Sequence, residues 1–176
     1  MLLNNPVTSL DLSQVVEGNP VATIVIDAQH RVTHWNHACS MLTGVHAAEM
    51  LGTTDQWRAF YPSARPIMAD LIIDGALDGE LDQYYHGKFR ASASIKGAFE
   101  AEDFFPNFGE GGRWLFFTAA PLRDAQGDLV GAIETLQDVT DRHRAEDDLR
   151  QYQNQLEGLV ATRTAQLASA NAVLED

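Results

Sequence analysis

Any reactive or metal-binding centre in this chain would have to be built from six histidines, one cysteine and a scatter of serines. Their spacing builds none. His34 and His37 are three apart, but the first ends an extended segment, the second follows a helix cap, and no third ligand stands with them. His143 lies among Arg142, Arg144 and Glu146, the composition of a solvated helix face. Ser40, Ser63, Ser92 and Ser94 have no strand–turn–helix context that would expose a nucleophile. Gly109-Glu110-Gly111-Gly112 follows Phe108 instead of joining a strand to a helix, so it reads as a hairpin tip and not as a phosphate cradle. Cys39 is the single cysteine, which excludes an intramolecular disulfide and any zinc or cluster site built from cysteines. It fits a reducing compartment. No catalytic residue and no metal ligand is assigned.

Binding and relay chemistry remain. Residues 56–62, Gln-Trp-Arg-Ala-Phe-Tyr-Pro, concentrate aromatics and arginine just before Arg65 and Met68. In Trp114-Leu115-Phe116-Phe117-Thr118 the period of a strand puts Trp114, Phe116 and Thr118 on one face. An apolar pocket with a few placed polar groups is what a small-molecule site requires. Trp57, Tyr61, Arg65, Met68, Phe116 and Thr118 are therefore the candidate ligand-binding residues, although the same aromatics would also serve to fill a core. Asp138, Thr140 and Arg142 straddle a change from strand to helix period. Asp and Thr side chains there can satisfy the free N–H groups of a first helical turn, and an ion pair from Arg142 to Asp138 would tie the junction. They are assigned to signal transfer, with simple capping as the alternative.

The elements that must hold these residues can be read in order. Residues 10–18 form a short amphipathic helix with Leu10, Leu12, Val15 and Val16 on its apolar side, broken by Asn19-Pro20. Residues 21–26 and 31–35 make a hairpin around the turn 27–30. Asn36 caps a helix over 37–43 that closes at Gly44, and a second short helix over 47–51 closes at Gly52. Pro66 starts a helix over 67–73, and a further one includes 81–85. Strand pattern returns over 99–105, 113–122 and 129–139. Beyond residue 141, Leu149, Tyr152, Leu156, Leu159, Arg163, Leu167, Ala170 and Leu174 recur in steps of three and four, a coiled-coil seam with a stutter at Arg163. Such a helix calls for a partner helix, so Leu149, Tyr152, Leu156, Leu159, Leu167 and Leu174 are the candidate dimer contacts.

Composition agrees with this organisation. The chain has 176 residues, 45% of them apolar and 21% charged, enough for one compact domain with an appendage. A net charge of −13 argues against a broad basic face for nucleic acid or anionic lipid. The first residues lack the basic and apolar regions of a secretory signal, and no run approaches a membrane span, so a cytoplasmic segment is expected, with any anchor elsewhere in a parent protein.

Asp27, then Trp35-Asn36-x-Ala38-x-x-x-Leu42-Thr43-Gly44, then Glu49-x-Leu51-Gly52, resembles the N-terminal half of a PAS domain. The run 131–142, Gly-Ala-Ile-Glu-Thr-Leu-Gln-Asp-Val-Thr-Asp-Arg, resembles the closing strand of that family with its Asp-Ile-Thr signature, Val139 standing for the Ile. His30 stands where the family usually has a turn glycine. The resemblance covers roughly residues 10–142 and implies an α+β fold: a five-stranded antiparallel sheet, short helices on one face and a long C-terminal coiled-coil helix. It divides the chain into a flanking helix over 1–20, a PAS domain over 21–141 and a signalling helix over 142–176. The implied function is a sensor or relay, itself without catalysis, that binds a small molecule or passes a conformational change to an output domain. That output is a bacterial histidine kinase or, as an alternative, a diguanylate cyclase. A ligand-free dimerisation and spacer module is the other reading. The family's flavin motif is absent and residues 65–73 carry no histidine, although His86 is nearby, so flavin and haem are not expected; the ligand stays open.

Overall fold

The computed structural model describes residues 11–76 and 78–174. It comprises two units, one ending at Asp138 and one beginning at Val139. The first is built on an antiparallel sheet. β-branched residues of β1 (Ala22–Asp27) pair with β2 (Val32–Trp35) through a tight turn. His30 in that turn has φ 62°, the left-handed conformation that a turn glycine would adopt freely and His adopts at modest cost. The later strands are β3 (Phe89–Ala91), β4 (Phe99–Phe105), β5 (Arg113–Arg123) and β6 (Leu129–Asp138). Six strands stand in the order β2-β1-β6-β5-β4-β3 among the described residues, one more than the five expected. The addition is β3, a three-residue edge strand too short to show a period.

Helices cover one face. α1 (Leu12–Glu17) is capped by Asp11, and α2 (His37–Thr43) is capped by Asn36 and closed by Gly44 at φ 75°. α3 (Ala47–Met50), a single 3₁₀ turn (Gln56–Ala59), α4 (Met68–Ile73) and α5 (Asp78–Tyr85) follow. α4 lies across β5 and β6, the two longest strands. The core between helices and sheet is made by Ile24, Ile26, Leu115, Phe117, Leu136, Ile67, Met68 and Leu81, all buried. Leu12 and Val15 of α1 stay exposed, and Leu10 lies outside the described residues. Gly131 lets β1 and β6 close, since a Cβ there would stand 2.3 Å from the Ile26 carbonyl oxygen. The second unit is one helix, α6 (Thr140–Leu174), whose 35 residues span about 52 Å at 1.5 Å each. Among the described residues no helix is long and apolar enough to cross a membrane.

Asn36 ties the N-terminal half together from a buried position. Its Oδ1 accepts from Cys39 N, as a helix cap, and from Thr23 N, both at 2.9 Å. Its Nδ2 donates to the carbonyls of Val16, Asn19 and Val21 at 2.9–3.1 Å. Asn36→Ala removes a cap worth about 1 kcal/mol and strands a buried N–H at about 1–3 kcal/mol. We expect a loss of about 2–4 kcal/mol in urea unfolding with an unchanged m value; a loss well under 1 kcal/mol would show that water replaces these bonds.

Candidate functional site

The candidate ligand residues do not share one cavity. Along β5 the inward face carries Leu115, Phe117 and Ala119, so Phe116 and Thr118 lie on the opposite face of the sheet, away from the helices. Phe116 lines a groove with Phe89, Arg90 and Glu102. Residues 114–117 are apolar at every position, so alternation alone could not say which set faces in. Met68 is fully buried in the core. Trp57 and Arg65 line an outer groove of about 360 Å³ with His30, Gln56, Asp70 and Asp74. Tyr61 lies at the wall between an open cleft of about 460 Å³ and an interior gap formed with Phe60, Ile67, Phe105, Phe117, Glu134 and Leu136. The Gly-rich connection between β4 and β5 is anchored, because Phe108 is buried and stacks on Phe60 with centroids 6.0 Å apart.

Glu134 is the polar centre of this interior. It sits on β6 at the inward parity of Ala132 and Leu136, opposite Ile24 of β1 and Ala119 of β5. Its Oε2 accepts from Ala69 N at 2.8 Å. Burial raises its pKa to about 8; the Ala69 N–H and the charge of Arg65 pull the other way, and Asp70 adds to the rise. Next to Ala69, Asp70 caps α4 by accepting from Ile67 N at 3.0 Å, and it also accepts from Gln56 Nε2 at 2.7 Å. His30 reaches α4 from the β1–β2 turn, with Nδ1 2.8 Å from Asp70 and Nε2 3.1 Å from Asp74. Around Arg65 stand three tyrosine rings, with the guanidinium carbon 3.9 Å from the centroid of Tyr61, 5.1 Å from Tyr84 and 5.3 Å from Tyr85. Burial pushes Tyr61 up to about 12 and Tyr85 well above the ordinary phenol value. Among the described residues Gln56 Oε1 and Arg65 Nε are buried without a partner of hydrogen-bonding geometry, while the Tyr85 hydroxyl has the Tyr61 hydroxyl as its neighbour. Sequence reasoning missed Glu134, Asp70 and His30. The inward parity of Glu134 was readable; the pairing of His30 with a residue forty positions on was not.

Cys39 is fully buried, and burial pushes its thiol far up, so it is an inert packing residue. Among the described residues no group of His, Cys, Asp and Glu has the arrangement of a metal site. Asp138, at the end of β6, pairs with Arg113 of β5 at 3.2 Å. Arg142 pairs with Glu146 one turn along α6 at 3.2 Å, and the Val139 carbonyl accepts from His143 N. Leu149, Tyr152, Leu156, Leu159 and Leu167 are 58–67% exposed along α6. The side chain of Leu174 lies outside the described residues.

The His30 clamp has a definite pH signature. Burial alone would lower its pKa, but the hydrogen bonds and charges of Asp70 and Asp74 outweigh this and raise it above the ordinary value. A raised folded-state pKa gives stability that is complete below the unfolded value and lost as pH rises through the folded one. The stability gap between wild type and His30→Gln should therefore be larger at pH 5.5 than at pH 8.5 in paired urea titrations. An equal gap at both would show that the imidazole is held only as a neutral hydrogen-bonding ring.

The fold and these residues can be set beside known proteins. No curated protein matches the chain significantly in sequence. Among solved structures, the PAS domain of BvgS from Bordetella pertussis aligns at 18% identity over 80% of this chain and 92% of that one, with a TM-score of 0.47. An RNA-binding light-oxygen-voltage receptor aligns at 19% identity over 87% of this chain and 41% of that one, TM-score 0.53. A PAS domain from Colwellia psychrerythraea aligns at 14% identity over 73% and 94%, TM-score 0.44. At these identities the likeness is one of fold. The family model described as PAS fold matches residues 16–144, which is most of the chain, and the chain belongs to that family.

Proposed function

We propose that this PAS domain is a sensor and relay that passes a change in its core to a C-terminal output domain through a dimeric coiled coil. One observation carries the reading. The strand that buries Glu134, β6, ends at Asp138, and after Val139 alone the chain continues as a 35-residue helix with an exposed leucine stripe. A change at Glu134 thus needs no loop to travel through. The output we favour is a histidine kinase of a bacterial two-component system, with a diguanylate cyclase as the alternative. On this reading the chain is cytoplasmic and catalyses nothing itself, and Asp138, Thr140 and Arg142 form the transfer point. A ligand-free spacer is the second reading, and one feature favours it: the interior gap holds no room for a water molecule.

The dimer is tested by Leu156→Asp combined with Leu159→Asp, which places carboxylates in the seam. We expect a folded monomer by sedimentation, with a circular dichroism loss confined to the helix; an unchanged dimer would place the interface elsewhere. The relay is tested by Asp138→Ala in a fusion to a kinase. Asp138 and Arg113 are each more than a third exposed, so breaking their pair should cost less than about 1 kcal/mol. Kinase output should change while the dimer persists. Unchanged output would make the junction a simple cap.

A further inference from the structure

The open cleft of about 460 Å³ lies outside the core, framed by the end of α2, the 3₁₀ turn and the connection between β4 and β5. Phe60 and Phe108, each only 7% exposed, separate it from the interior and form its floor. Its charge sets it apart on a chain of net charge −13. The groove beside Phe116 is lined by Glu100 and Glu102, and that beside Arg65 by Asp70 and Asp74. This cleft is lined by Arg58 and Arg113 and, among the described residues, by no carboxylate. Neither guanidinium is fully engaged. Arg58 is 60% exposed, and its ion pair with Asp55 spans 3.8 Å, beyond hydrogen-bonding reach. Arg113 uses Nη1 on Asp138 at 3.2 Å. Its other edge lies against the loop, where a Cβ at Gly109 would stand 3.5 Å from both Nε and Nη2. The glycine leaves that two-donor edge uncovered, and a bidentate oxyanion is what such an edge takes.

We propose that this outer cleft binds a phosphate monoester with a small apolar body, its phosphate on Arg58 and Arg113 and its body over Phe60, Phe108 and Met41. Charge sets the dianion. Two guanidiniums without a carboxylate match a phosphate monoester, which carries about two negative charges once pH is well above its second pKa of about 6. Volume sets a small molecule, since ligand clefts run from about 300 to 1,000 Å³. The floor sets the apolar body: Phe60 and Phe108 stack with an interplanar angle of 12°, and Met41 stands 70% exposed at the rim.

Arg113 gives the site its consequence. It pairs with Asp138, the last residue of β6, so an anion in the cleft competes with Asp138 for one guanidinium. Such coupling is reciprocal: removing the Asp138 charge should tighten the anion by the factor with which the anion loosens Asp138. Both partners are more than a third exposed, which limits that factor to about fivefold. The effect on output rests on the relay reading of Asp138; the site itself does not.

Calorimetric titration of the full chain with phenyl phosphate, inorganic phosphate and phenol, at about pH 8, tests the site. We expect phenyl phosphate to bind at least about tenfold more tightly than either of the others. Arg113→Gln and Arg58→Gln, each checked for its fold by circular dichroism, should weaken it at least about fivefold. Asp138→Asn should tighten it about two- to fivefold. Phenol binding as tightly would overturn the anion site, and inorganic phosphate binding as tightly would overturn the apolar body. No binding at millimolar concentration, or undiminished binding in both arginine variants, would overturn the proposal and leave the relay from Glu134 standing. Unchanged affinity in Asp138→Asn would overturn the competition for Arg113. In the kinase fusion, phenyl phosphate should move output in the same direction as Asp138→Ala. A saturated site with unchanged output would instead overturn the relay at Asp138 and leave the cleft as a binding site.

Discussion

The carboxyl of Glu134 constrains everything packed above the sheet. A carboxylate taken out of water without compensation is among the costliest groups a core can hold. This one stands at the middle of a six-stranded sheet with Ile24 and Ala119 as its strand neighbours. It is tolerated because burial raises its pKa to about 8 and so favours the neutral acid, and because α4 begins over it and lends it the Ala69 N–H. That bond works only if the first turn of α4 is held still, and three contacts on Asp70 hold it: Ile67 N, Gln56 Nε2 and His30 Nδ1. The α4 helix, the 3₁₀ turn and the β1–β2 turn are therefore fixed relative to the sheet by one chain of polar bonds. Apolar packing fills the space around it without choosing that register.

The same arrangement explains how a disturbance in the core would leave it. α4 lies over β5 and β6, and β6 ends at Asp138, which pairs back to Arg113 of β5. A shift of the α4 start is felt first as a change in the environment of Glu134, and so in its proton affinity. The strand that carries Glu134 has no bulge between it and Asp138 in its pairing with β5. It is paired on both sides as far as Leu136, and by β5 alone from there to Asp138.

Much of this architecture was legible in the residues. The β-branched run before Asp27, the Asn36 cap and the glycine at 44 each specify their local conformation through a short-range mechanism, and each is found as read. What was hidden depended on distant partners. Phe89–Ala91 is a strand only because Phe99–Ala101 is there to pair with it. The inward face of Trp114-Leu115-Phe116-Phe117 is decided by the register that sets Ala119 beside Glu134, which the apolar run itself does not show. Phe116 and Thr118 thus lie on the sheet face away from the helices, while Tyr61 and Arg65 meet with the guanidinium carbon 3.9 Å from the ring centroid. Glu134 would have been found by taking the strand period at face value, against the habit of reading a glutamate as outward.

The closed interior and the unpartnered polar atoms belong to the same energetic picture. A ligand shifts a conformational equilibrium only by its differential affinity for the two states. A full switch from 1:99 to 99:1 needs about 5.5 kcal/mol of difference between states, so a relaxed, well-satisfied resting core would be hard to move. This core is not fully satisfied. Gln56 Oε1 and Arg65 Nε are each buried without a partner of hydrogen-bonding geometry among the described residues, at a typical cost of about 1–3 kcal/mol apiece. A change of state that supplies them with partners gains that relief in addition to its own new contacts. On the sensor reading proposed above, the unsatisfied groups would thereby lower the threshold for switching.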